Sequence, residues 1–321
     1  MLHLIESSGA YSGGAMPEAT RILQFSEEAI AEAARMIADG HPVAVATETV
    51  YGLAADATNA EAVARIYEAK GRPSFNPLIV HVPDLAAAEQ IGEFNDQAWA
   101  LAERHWPGPL TLVVPLRSDA GIASLVTAGL PSIALRVPAH PAMQSLLRAT
   151  GRPLAAPSAN ASGSISPTRA EHVLKSLGGR IKLIIDAGRT ERGLESTIVA
   201  ATNDRLRLLR RGPIEVPDAV EAASDSIEAP GQLASHYAPS KPLRLNCQTA
   251  DEDEFFIGFG PIQGDVSLSP TGSLIEAASL LFDFLHEGDA GTESAIAVAP
   301  IPDEGLGLAI NDRLRRAAAP R

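Results

Sequence analysis

The sequence has very little cysteine and few aromatic residues, and both shortages limit what the chain can be. Its 321 residues include one cysteine, Cys247, so neither an internal disulfide nor a zinc site built from several thiolates is available. Aromatic residues make up 4% of the chain, and we therefore expect a core built mainly from Ala, Val, Leu and Ile. We expect Cys247 to be a buried thiol rather than a nucleophile.

Long apolar runs and an excess of basic charge are absent as well. No stretch approaches the roughly 18–20 consecutive apolar residues that span a bilayer. The N-terminal segment lacks the basic start and apolar run of a signal peptide. The formal net charge of −13 disfavours a broad nucleic-acid-binding surface, because phosphate contacts need a basic face. We therefore expect a cytoplasmic protein with no membrane contact and no stable nucleic-acid binding.

Several signatures of nucleotide and hydrolase chemistry are missing too. The sequence contains no Gly-x-x-x-x-Gly-Lys-Ser/Thr phosphate loop, no Gly-x-Gly-x-x-Gly after the first predicted strand and no Gly-x-Ser-x-Gly elbow. The zinc motif His-Glu-x-x-His is also absent. A nucleotide site in this chain must therefore be built in another way.

The apolar pattern divides the chain into two α/β units. Helix-like and strand-like segments alternate from residue 23 to residue 211, whereas proline, glycine and small polar residues interrupt the pattern over 214–240. We predict a loose N-terminal extension over residues 1–21, a first domain over 22–215, a linker over 216–240 and a smaller second domain over 241–321.

Helix caps and buried strands locate the polar residues of the first domain. Ser26 is expected to cap a helix that Gly40 ends, and a second helix is expected from about Asn59 to about Lys70. Apolar runs predict strands over residues 42–46, 78–82, 110–116, 132–137 and 154–156. Open α/β sheets bind ligands at the ends of such strands, so we looked there for polar residues.

Three polar segments stand out, and each has a plainer explanation beside the functional one. Thr-Glu-Thr at 47–49 offers hydroxyls and a carboxylate, or simply a strand exit. Lys-Gly-Arg-Pro at 70–73 offers two cations for polyphosphate, or cations at a helix C-terminal dipole. Ala-Pro-Ser-Ala-Asn at 156–160 offers a small polar loop that a nucleotide can approach, or a loop of a common kind.

Single side chains extend the candidate site. His81 lies in an apolar strand, where a satisfied core histidine is the ordinary reading. Arg136 ends a strand and must find an anion or reach solvent. Residues 195–197 open another strand, and Arg210 closes one. Composition and spacing alone thus indicate an α/β protein with a basic, hydroxyl-rich site suited to an anionic nucleotide, and they do not fix the reaction.

In combination, these segments resemble the YrdC family. The matching motifs, in family order, are TETVYGL at 47–53, KGRP at 70–73, NPLIVH at 76–81, WPGPLT at 106–111, RVP at 136–138, AAPSAN at 155–160 and EST at 195–197. They cover most of residues 22–215. HYAP at 236–239, APIP at 299–302 and AINDR at 309–313 resemble the two-domain L-threonylcarbamoyladenylate synthases of this family.

The resemblance implies a fold and a reaction. The fold would be a twisted, mixed-sheet α/β domain with a large concave, positively charged cavity, joined by a linker to a small Rossmann-like α/β domain. The reaction would be a nucleotidyl transfer that forms threonylcarbamoyl-AMP and pyrophosphate from L-threonine, bicarbonate or CO2, and ATP. Mg2+ would accompany the ATP, without side-chain ligands that the sequence identifies. The product would pass to a tRNA threonylcarbamoyl transferase complex.

The resemblance also assigns residues to this reaction. Lys70 and Arg72 are expected to be catalytic. Threonine is expected to contact Thr49, His81, Arg136, Ala156 and Ser196, with Arg136 pairing its carboxylate. ATP is expected to contact Lys70, Arg72, Asn76, Ser132, Ser158, Asn160, Ser166, Arg210 and Tyr237. No general base is assigned, and Ala46 departs from the proline that the family often has before Thr-Glu-Thr.

Two other functions stay open on the sequence alone. One is carbamoyl transfer of the kind carried out by the YrdC-like part of hydrogenase maturation factors, although those proteins carry cysteine-rich zinc fingers. The other is a non-enzymatic RNA-binding module that uses a basic cavity, which the acidic net charge disfavours. Adenylate formation would distinguish the synthase from the RNA-binding module, which would release no pyrophosphate. The linker is a candidate lid over bound ATP.

Overall fold

The computed structural model describes residues 19–73, 75–222, 228–231 and 235–320. The helices are α1 (Glu27–Ala38), α2 (Ala60–Lys70), α3 (Leu85–Glu89), α4 (Asp96–His105), α5 (Ser124–Thr127), α6 (Pro141–Thr150), α7 (Ala170–Leu177), α8 (Leu274–Ala290) and α9 (Leu306–Ala318). The strands are β1 (Arg21–Gln24), β2 (Val43–Ala46), β3 (Tyr51–Asp56), β4 (Ile79–His81), β5 (Leu110–Pro115), β6 (Ser132–Arg136), β7 (Leu154–Ala155), β8 (Leu183–Asp186), β9 (Thr197–Ala200), β10 (Arg207–Arg210), β11 (Val220–Glu221), β12 (Leu243–Arg244), β13 (Glu254–Gly258), β14 (Val266–Ser267) and β15 (Ala295–Val298).

The first domain is built around one large mixed sheet. Its strands lie in the order β1-β8-β2-β3-β7-β4-β6-β5-β9-β10-β11. Parallel pairs, such as β4 with β6, stand beside antiparallel pairs, such as β2 with β3. Alternate residues of β2 belong to different apolar clusters, Ala44 and Ala46 to one and Val43 and Val45 to the other. Both faces of the sheet are therefore buried, and the predicted mixed α/β sheet is confirmed.

The second domain has a smaller, parallel sheet. Its strands lie in the order β12-β15-β13-β14, every neighbouring pair is parallel, and α8 packs against both α9 and β15. The expected second α/β unit is thus present. Its apolar cluster also contains Val50, Ile165 and Leu194 of the first domain, so the two domains share part of their core.

Local signals explain where α1 and α2 begin and end. Ser26 caps α1 with its side chain, as the sequence predicts, and Asn59 caps α2 by accepting hydrogen bonds from two backbone N–H groups of the first turn. Gly71 takes the left-handed conformation, with φ 59°, that ends α2. Because α2 ends there, Lys70 is the last residue of the helix and Arg72 belongs to the loop that follows it.

Two observed elements fall across the predicted boundaries. β1 begins at Arg21, which the sequence placed in the N-terminal extension, and it pairs with β8. The predicted linker contains β11, a two-residue exposed strand that pairs with β10 at the sheet edge. Residues 1–18, 223–227 and 232–234 of the predicted extension and linker lie outside the described residues. Cys247 is buried, as expected.

The helices do not include a membrane-spanning segment. Within the part of the chain that the structure describes, none of them combines the length and the apolar character needed to cross a bilayer.

The two domains approach each other closely at Gly193. This residue has φ 69°, and a Cβ placed there would lie 2.4 Å from the carbonyl oxygen of Ala278 and 2.6 Å from Cα of Ser279 in α8. We expect Gly193→Ala to lower the urea midpoint of unfolding, because backbone atoms of α8 must move to admit the methyl group.

Gly188→Ala is the matched control. Gly188 lies in the same loop with φ 79°, and a Cβ there meets nothing within 4 Å. Both substitutions carry the backbone cost of a left-handed alanine, about 1–2 kcal/mol, and Gly193→Ala should cost about 1–3 kcal/mol more through overpacking. Equal midpoints for the two variants would show that α8 is not held closely at Gly193.

Candidate active site

A cavity lies where strands of the large sheet end beneath the linker and beside the second domain. The cavity volume is about 40 Å³. Seven of the residues that the sequence assigns to ligands line it, namely Thr49, His81, Arg136, Ala156, Ser158, Arg210 and Tyr237. The other lining residues are Thr47, Val50, Gly52, Ile79, Pro157, Glu195 and His236. The fold therefore collects residues from distant motifs into one place.

Arg136 is held at one end of this cavity by three different partners. Its Nη2 lies 2.6 Å from a carboxylate oxygen of Glu48, its Nη1 donates to Thr49 Oγ1 at 2.9 Å, and its Nε donates to the carbonyl oxygen of Gly108 at 3.3 Å. The parallel register of β4 and β6 places His81 beside it. A guanidinium has five N–H donors, so these three bonds leave donors for a further anion.

Glu48 is a partner that the sequence analysis did not assign to the site. Burial alone would raise the pKa of its carboxyl, but Arg136 and the backbone N–H of Ala139 lower that pKa below its usual value. Glu48 is therefore charged, and it is the protein anion that buried Arg136 requires. The signal was available in the sequence, since Glu48 lies between the two threonines of the first polar segment.

His81 is a neutral imidazole inside the cavity wall. Its side chain is 2% exposed, and burial together with nearby Arg136 lowers the pKa of His81 to about 3. Its Nδ1 has no hydrogen-bond partner among the described residues. An imidazole with so low a pKa is a poor general base near neutral pH, but it can exchange a hydrogen bond with a ligand.

Lys70 lies next to the cavity residue Ser158, and among the described residues its hydrogen-bond partners are carbonyl oxygens. Its Nζ donates to the carbonyl oxygens of Ser158 and Asn160, and its side chain is buried. Burial and the neighbouring charge of Arg72 lower the pKa of Lys70 well below its usual value. An anion that binds here would reverse this effect and hold the ammonium in its charged form.

Arg72, like Lys70, donates hydrogen bonds to backbone carbonyl oxygens. Its Nη2 donates to the carbonyl oxygen of Pro77 at 2.9 Å and its Nε to that of Asn76 at 3.2 Å. Burial lowers the pKa of Arg72 to about 10. The side-chain amide of Asn76 is buried, and neither its nitrogen nor its oxygen has a partner in the described residues. This loop therefore holds a cation and an unsatisfied amide close together.

Arg210 reaches the cavity from β10. It donates to the carbonyl oxygen and to Oγ of Ser196, each at 3.1 Å, and to the carbonyl oxygen of Pro230 in the linker at 3.3 Å. Ser196 Oγ is also 2.7 Å from Thr111 Oγ1. Ser196 therefore lies against Arg210, although the sequence assigned the two residues to different ligands.

Seven assigned residues stand outside the cavity lining, namely Lys70, Arg72, Asn76, Ser132, Asn160, Ser166 and Ser196. Ser166 is fully buried and donates to Glu195. The amide nitrogen of Asn160 donates to two backbone carbonyls of its own loop, while its oxygen has no partner within the described ranges. Ser132 begins β6, four residues before Arg136, which is about 13 Å in an extended strand. The structure does not bring Ser132 to the cavity.

The linker covers the cavity with Tyr237. This residue has φ 63° and is 1% exposed. The next residue, Ala238, donates its backbone N–H to the carbonyl oxygen of Gly163 at 2.9 Å. The Tyr237 ring lies 5.7 Å from that of Phe282 in α8, and its hydroxyl has no partner in the described chain. The linker thus bridges the loop after β7 and the second domain.

Buried positive charge exceeds buried negative charge around this cavity. The buried cations are Lys70, Arg72, Arg136, Arg210 and Arg313, and the buried carboxylates among them are Glu48 and Glu195. Their formal charges leave an excess of three positive units. A roomier cleft of about 420 Å³ opens between β10 and α9, but its lining sets Arg211 against Glu215 and Glu221. The cation-rich cavity is therefore a better site for anions than the larger cleft.

No protein-built metal site accompanies these cations. Among the described residues, no group of three or more His, Cys, Asp and Glu side chains could hold a metal ion. Glu195, which lines the cavity, and Glu48, which lies behind Arg136, are each engaged by an arginine.

A mixed α/β sheet, a cation-rich cavity and a second α/β domain docked beside it define the class of two-domain YrdC-like proteins. Residues 35–212 match the family model Sua5_yciO_yrdC, described as telomere recombination. Residues 190–319 match the model of the threonylcarbamoyl-AMP synthase C-terminal domain. The chain belongs to the Sua5/YrdC family, in its two-domain form, and the resemblance seen in the motifs is confirmed.

Individual relatives agree over nearly the whole length. The threonylcarbamoyl-AMP synthase of Bacillus subtilis is 40% identical over 95% of this chain and 97% of the relative. The crystal structure of P. abyssi Sua5 complexed with L-threonine superposes with a TM-score of 0.86 at 35% identity, covering 93% of this chain and 98% of that one. E. coli YciO, with a TM-score of 0.57 at 21% identity, shares the fold.

The low pKa of His81 predicts a pH dependence of folding stability. The unfolded chain protonates this histidine below about pH 6.5, whereas the folded protein does so only near pH 3. The unfolded state thus binds more protons between these limits, and stability falls as the pH falls. We expect His81→Gln to make the unfolding free energy less steep between about pH 6 and about pH 4, by about 1.4 kcal/mol per pH unit.

His105→Gln is the control for this measurement. His105 is only partly buried, and burial and Arg104 lower its pKa less far than that of His81. Its replacement should change the slope much less. If urea titrations across this pH range gave His81→Gln the wild-type slope, His81 would not be the buried neutral group described here.

Proposed function

We propose that this chain is a threonylcarbamoyl-AMP synthase. It would join L-threonine, bicarbonate or CO2, and ATP into threonylcarbamoyl-AMP, with release of pyrophosphate. The observation that carries the proposal is the excess of three positive charges buried around the cavity. The phosphates of ATP and the carboxylate of threonine would supply the missing anions. The family membership and the Bacillus subtilis relative of that name support the same reaction.

Threonine would bind at the Arg136 end of the cavity. The N–H donors that Arg136 does not give to Glu48, Thr49 and Gly108 are available to the amino-acid carboxylate. The neutral imidazole of His81 and the hydroxyls of Thr49 and Ser196 would provide hydrogen bonds to the hydroxyl and amine. Ala156 would contribute apolar contact. P. abyssi Sua5, 35% identical to this chain, was solved in complex with L-threonine, which supports threonine as a substrate.

ATP would bind at the side that holds Lys70 and Arg72. Both cations now donate to backbone carbonyls, weaker partners than phosphate oxygens, and both would turn to the polyphosphate. Asn76, Ser158, Asn160, Ser166, Arg210 and Tyr237 are the further nucleotide contacts that we propose. Ser132 would contact ATP only if the nucleotide extends along β6. Mg2+ would enter with ATP as part of the substrate.

The reaction would proceed through a carbamate. The neutral amine of threonine adds to CO2, loses one proton and forms the carbamate. A carbamate oxygen then attacks the α-phosphorus of ATP, a new P–O bond forms, and the bond to the β-phosphate oxygen breaks to release pyrophosphate. Charge develops on phosphoryl oxygens, so fixed cations stabilise the transition state without a covalent nucleophile. The product would serve a tRNA threonylcarbamoyl transferase complex.

The first test is pyrophosphate release from ATP in the presence of bicarbonate. We expect release that requires L-threonine and that L-valine does not support, because valine lacks the hydroxyl that a polar subsite would bind. Arg72→Ala should reduce the rate by about 100-fold or more, since it removes a fixed charge at the phosphates. Arg72→Lys should retain part of the rate, because a point charge replaces the planar fork.

Arg104→Ala is the control for loss of a positive charge. Arg104 is exposed on α4, away from the cavity, and its replacement should leave the rate unchanged. Release without any need for threonine would contradict the synthase assignment. Tight tRNA binding with no pyrophosphate release would favour the RNA-binding alternative, and release that needs carbamoyl phosphate instead of bicarbonate would favour carbamoyl transfer.

A further inference from the structure

Arg313 lies on the second domain but is buried against the cavity of the first. It ends the AINDR motif in α9, a motif to which the proposed reaction gives no role. Its side chain is 0% exposed and is the largest of the fully buried side chains. Its Nε donates to Glu195 at 3.0 Å, across 118 residues of sequence. A residue of the second domain thus touches the wall of the candidate active site.

Two further contacts fix the Arg313 guanidinium. Its central carbon lies 5.3 Å from the ring centroid of Tyr237, within the range of a cation–π interaction. Its Nη1 donates at 2.9 Å to Asp312, a partly exposed carboxylate that also accepts a hydrogen bond from Arg316. Arg313 therefore links a cavity carboxylate, the linker and the second domain.

Glu195 lies between Arg313 and the cavity. One of its oxygens accepts from Ser166 and the other from Arg313. Glu195 also interacts electrostatically with Arg210 and lines the cavity. The next residue in the chain is Ser196, which bonds to Arg210. The orientation of Glu195 therefore affects the position of two groups to which the proposed function gives ligand contacts.

If Arg313 and Tyr237 only held the two domains together, we would expect each of their polar atoms to have a hydrogen-bond partner. Nη2 of Arg313 is buried and has no hydrogen-bond partner among the described residues, and an unsatisfied buried donor is unfavourable. The same holds for the hydroxyl of Tyr237, whose ring lies against this guanidinium. Two unsatisfied groups at one junction indicate that the junction is arranged for more than docking of the domains.

We propose that Arg313 is a positioning residue of the reaction, through which the second domain holds Glu195 and Tyr237 in place at the cavity. The proposal rests on the proposed synthase function for its kinetic consequences. This role is distinct from that of a linker that covers the site, because one side chain of α9 has a defined electrostatic effect on turnover.

The kinetic test compares Arg313→Gln with wild type over a range of pH. Burial raises the pKa of the Glu195 carboxyl, while Arg313 and Arg210 lower it below its usual value. The other polar groups that face Glu195 are Ser166, His236 and Tyr237. Without Arg313 the pKa of Glu195 should rise. The ratio of variant to wild-type kcat/KM should therefore fall as the pH is lowered from about 7.5 to about 5.5.

Arg313→Lys and Arg315→Gln complete the series. Lysine keeps the positive charge, so R313K should keep the wild-type pH dependence, but kcat should fall about 10-fold because one ammonium cannot replace the fork. Arg315 neighbours Arg313 on α9 and is 60% exposed, so R315Q should behave as wild type. A pH-independent ratio for R313Q, or a wild-type kcat for R313K, would overturn the positioning role.

A second measurement does not depend on turnover. Hydrogen–deuterium exchange of the peptide around Tyr237 should be faster in R313Q than in wild type and R315Q, because the backbone N–H groups of His236 and Ala238 are hydrogen-bonded there. Unchanged exchange would contradict the proposal even if activity fell. If wild type released no pyrophosphate, the synthase function would fail, and the exchange result would still decide whether Arg313 holds Tyr237.

Discussion

The arrangement of the site follows from one electrostatic constraint, the burial of more cations than carboxylates. An unpaired charge inside a protein costs several kcal/mol. Glu48 and Glu195 compensate Arg136 and Arg313 directly, while Lys70 and Arg72 rely on backbone carbonyl oxygens. The whole chain carries a net charge of −13. The local excess of positive charge around the cavity is therefore opposite in sign to the net charge of the molecule. Such a field favours small anions inside the cavity over a polyanion spread on the surface.

The fold meets this constraint by bringing the charges together from separate elements. Lys70 comes from the end of α2, Arg136 from β6, Arg210 from β10 and Arg313 from α9. The second domain is therefore part of the same electrostatic unit, and it also shares apolar core with the first domain. A truncation after β11 would remove a buried cation and would also expose apolar surface. Loss of activity in such a fragment would therefore not show that the linker acts as a lid.

The sequence predicts elements with local signals well and long-range pairing poorly. The cap at Ser26 and the bounds of α2 follow from residues within a few positions of each helix end. The sequence does not predict β3, because the turn at residues 47–50 that separates it from β2 contains neither proline nor glycine. The pairings of Glu48 with Arg136 and of Glu195 with Arg313 depend on strand order and domain docking. Neither is encoded in the spacing of the residues concerned, and motif resemblance alone placed Ser132 near the ligand.

The identity of the product tests most directly whether the buried cations serve threonine-dependent adenylate formation. The full chain would be incubated with ATP, L-threonine and bicarbonate labelled with carbon-13, then quenched and examined by mass spectrometry. The predicted product has the mass of threonylcarbamoyl-AMP, carries the label in its carbamoyl carbon, and forms in step with pyrophosphate. An ATP-derived product without the label, or conversion of ATP to ADP and phosphate alone, would contradict this assignment.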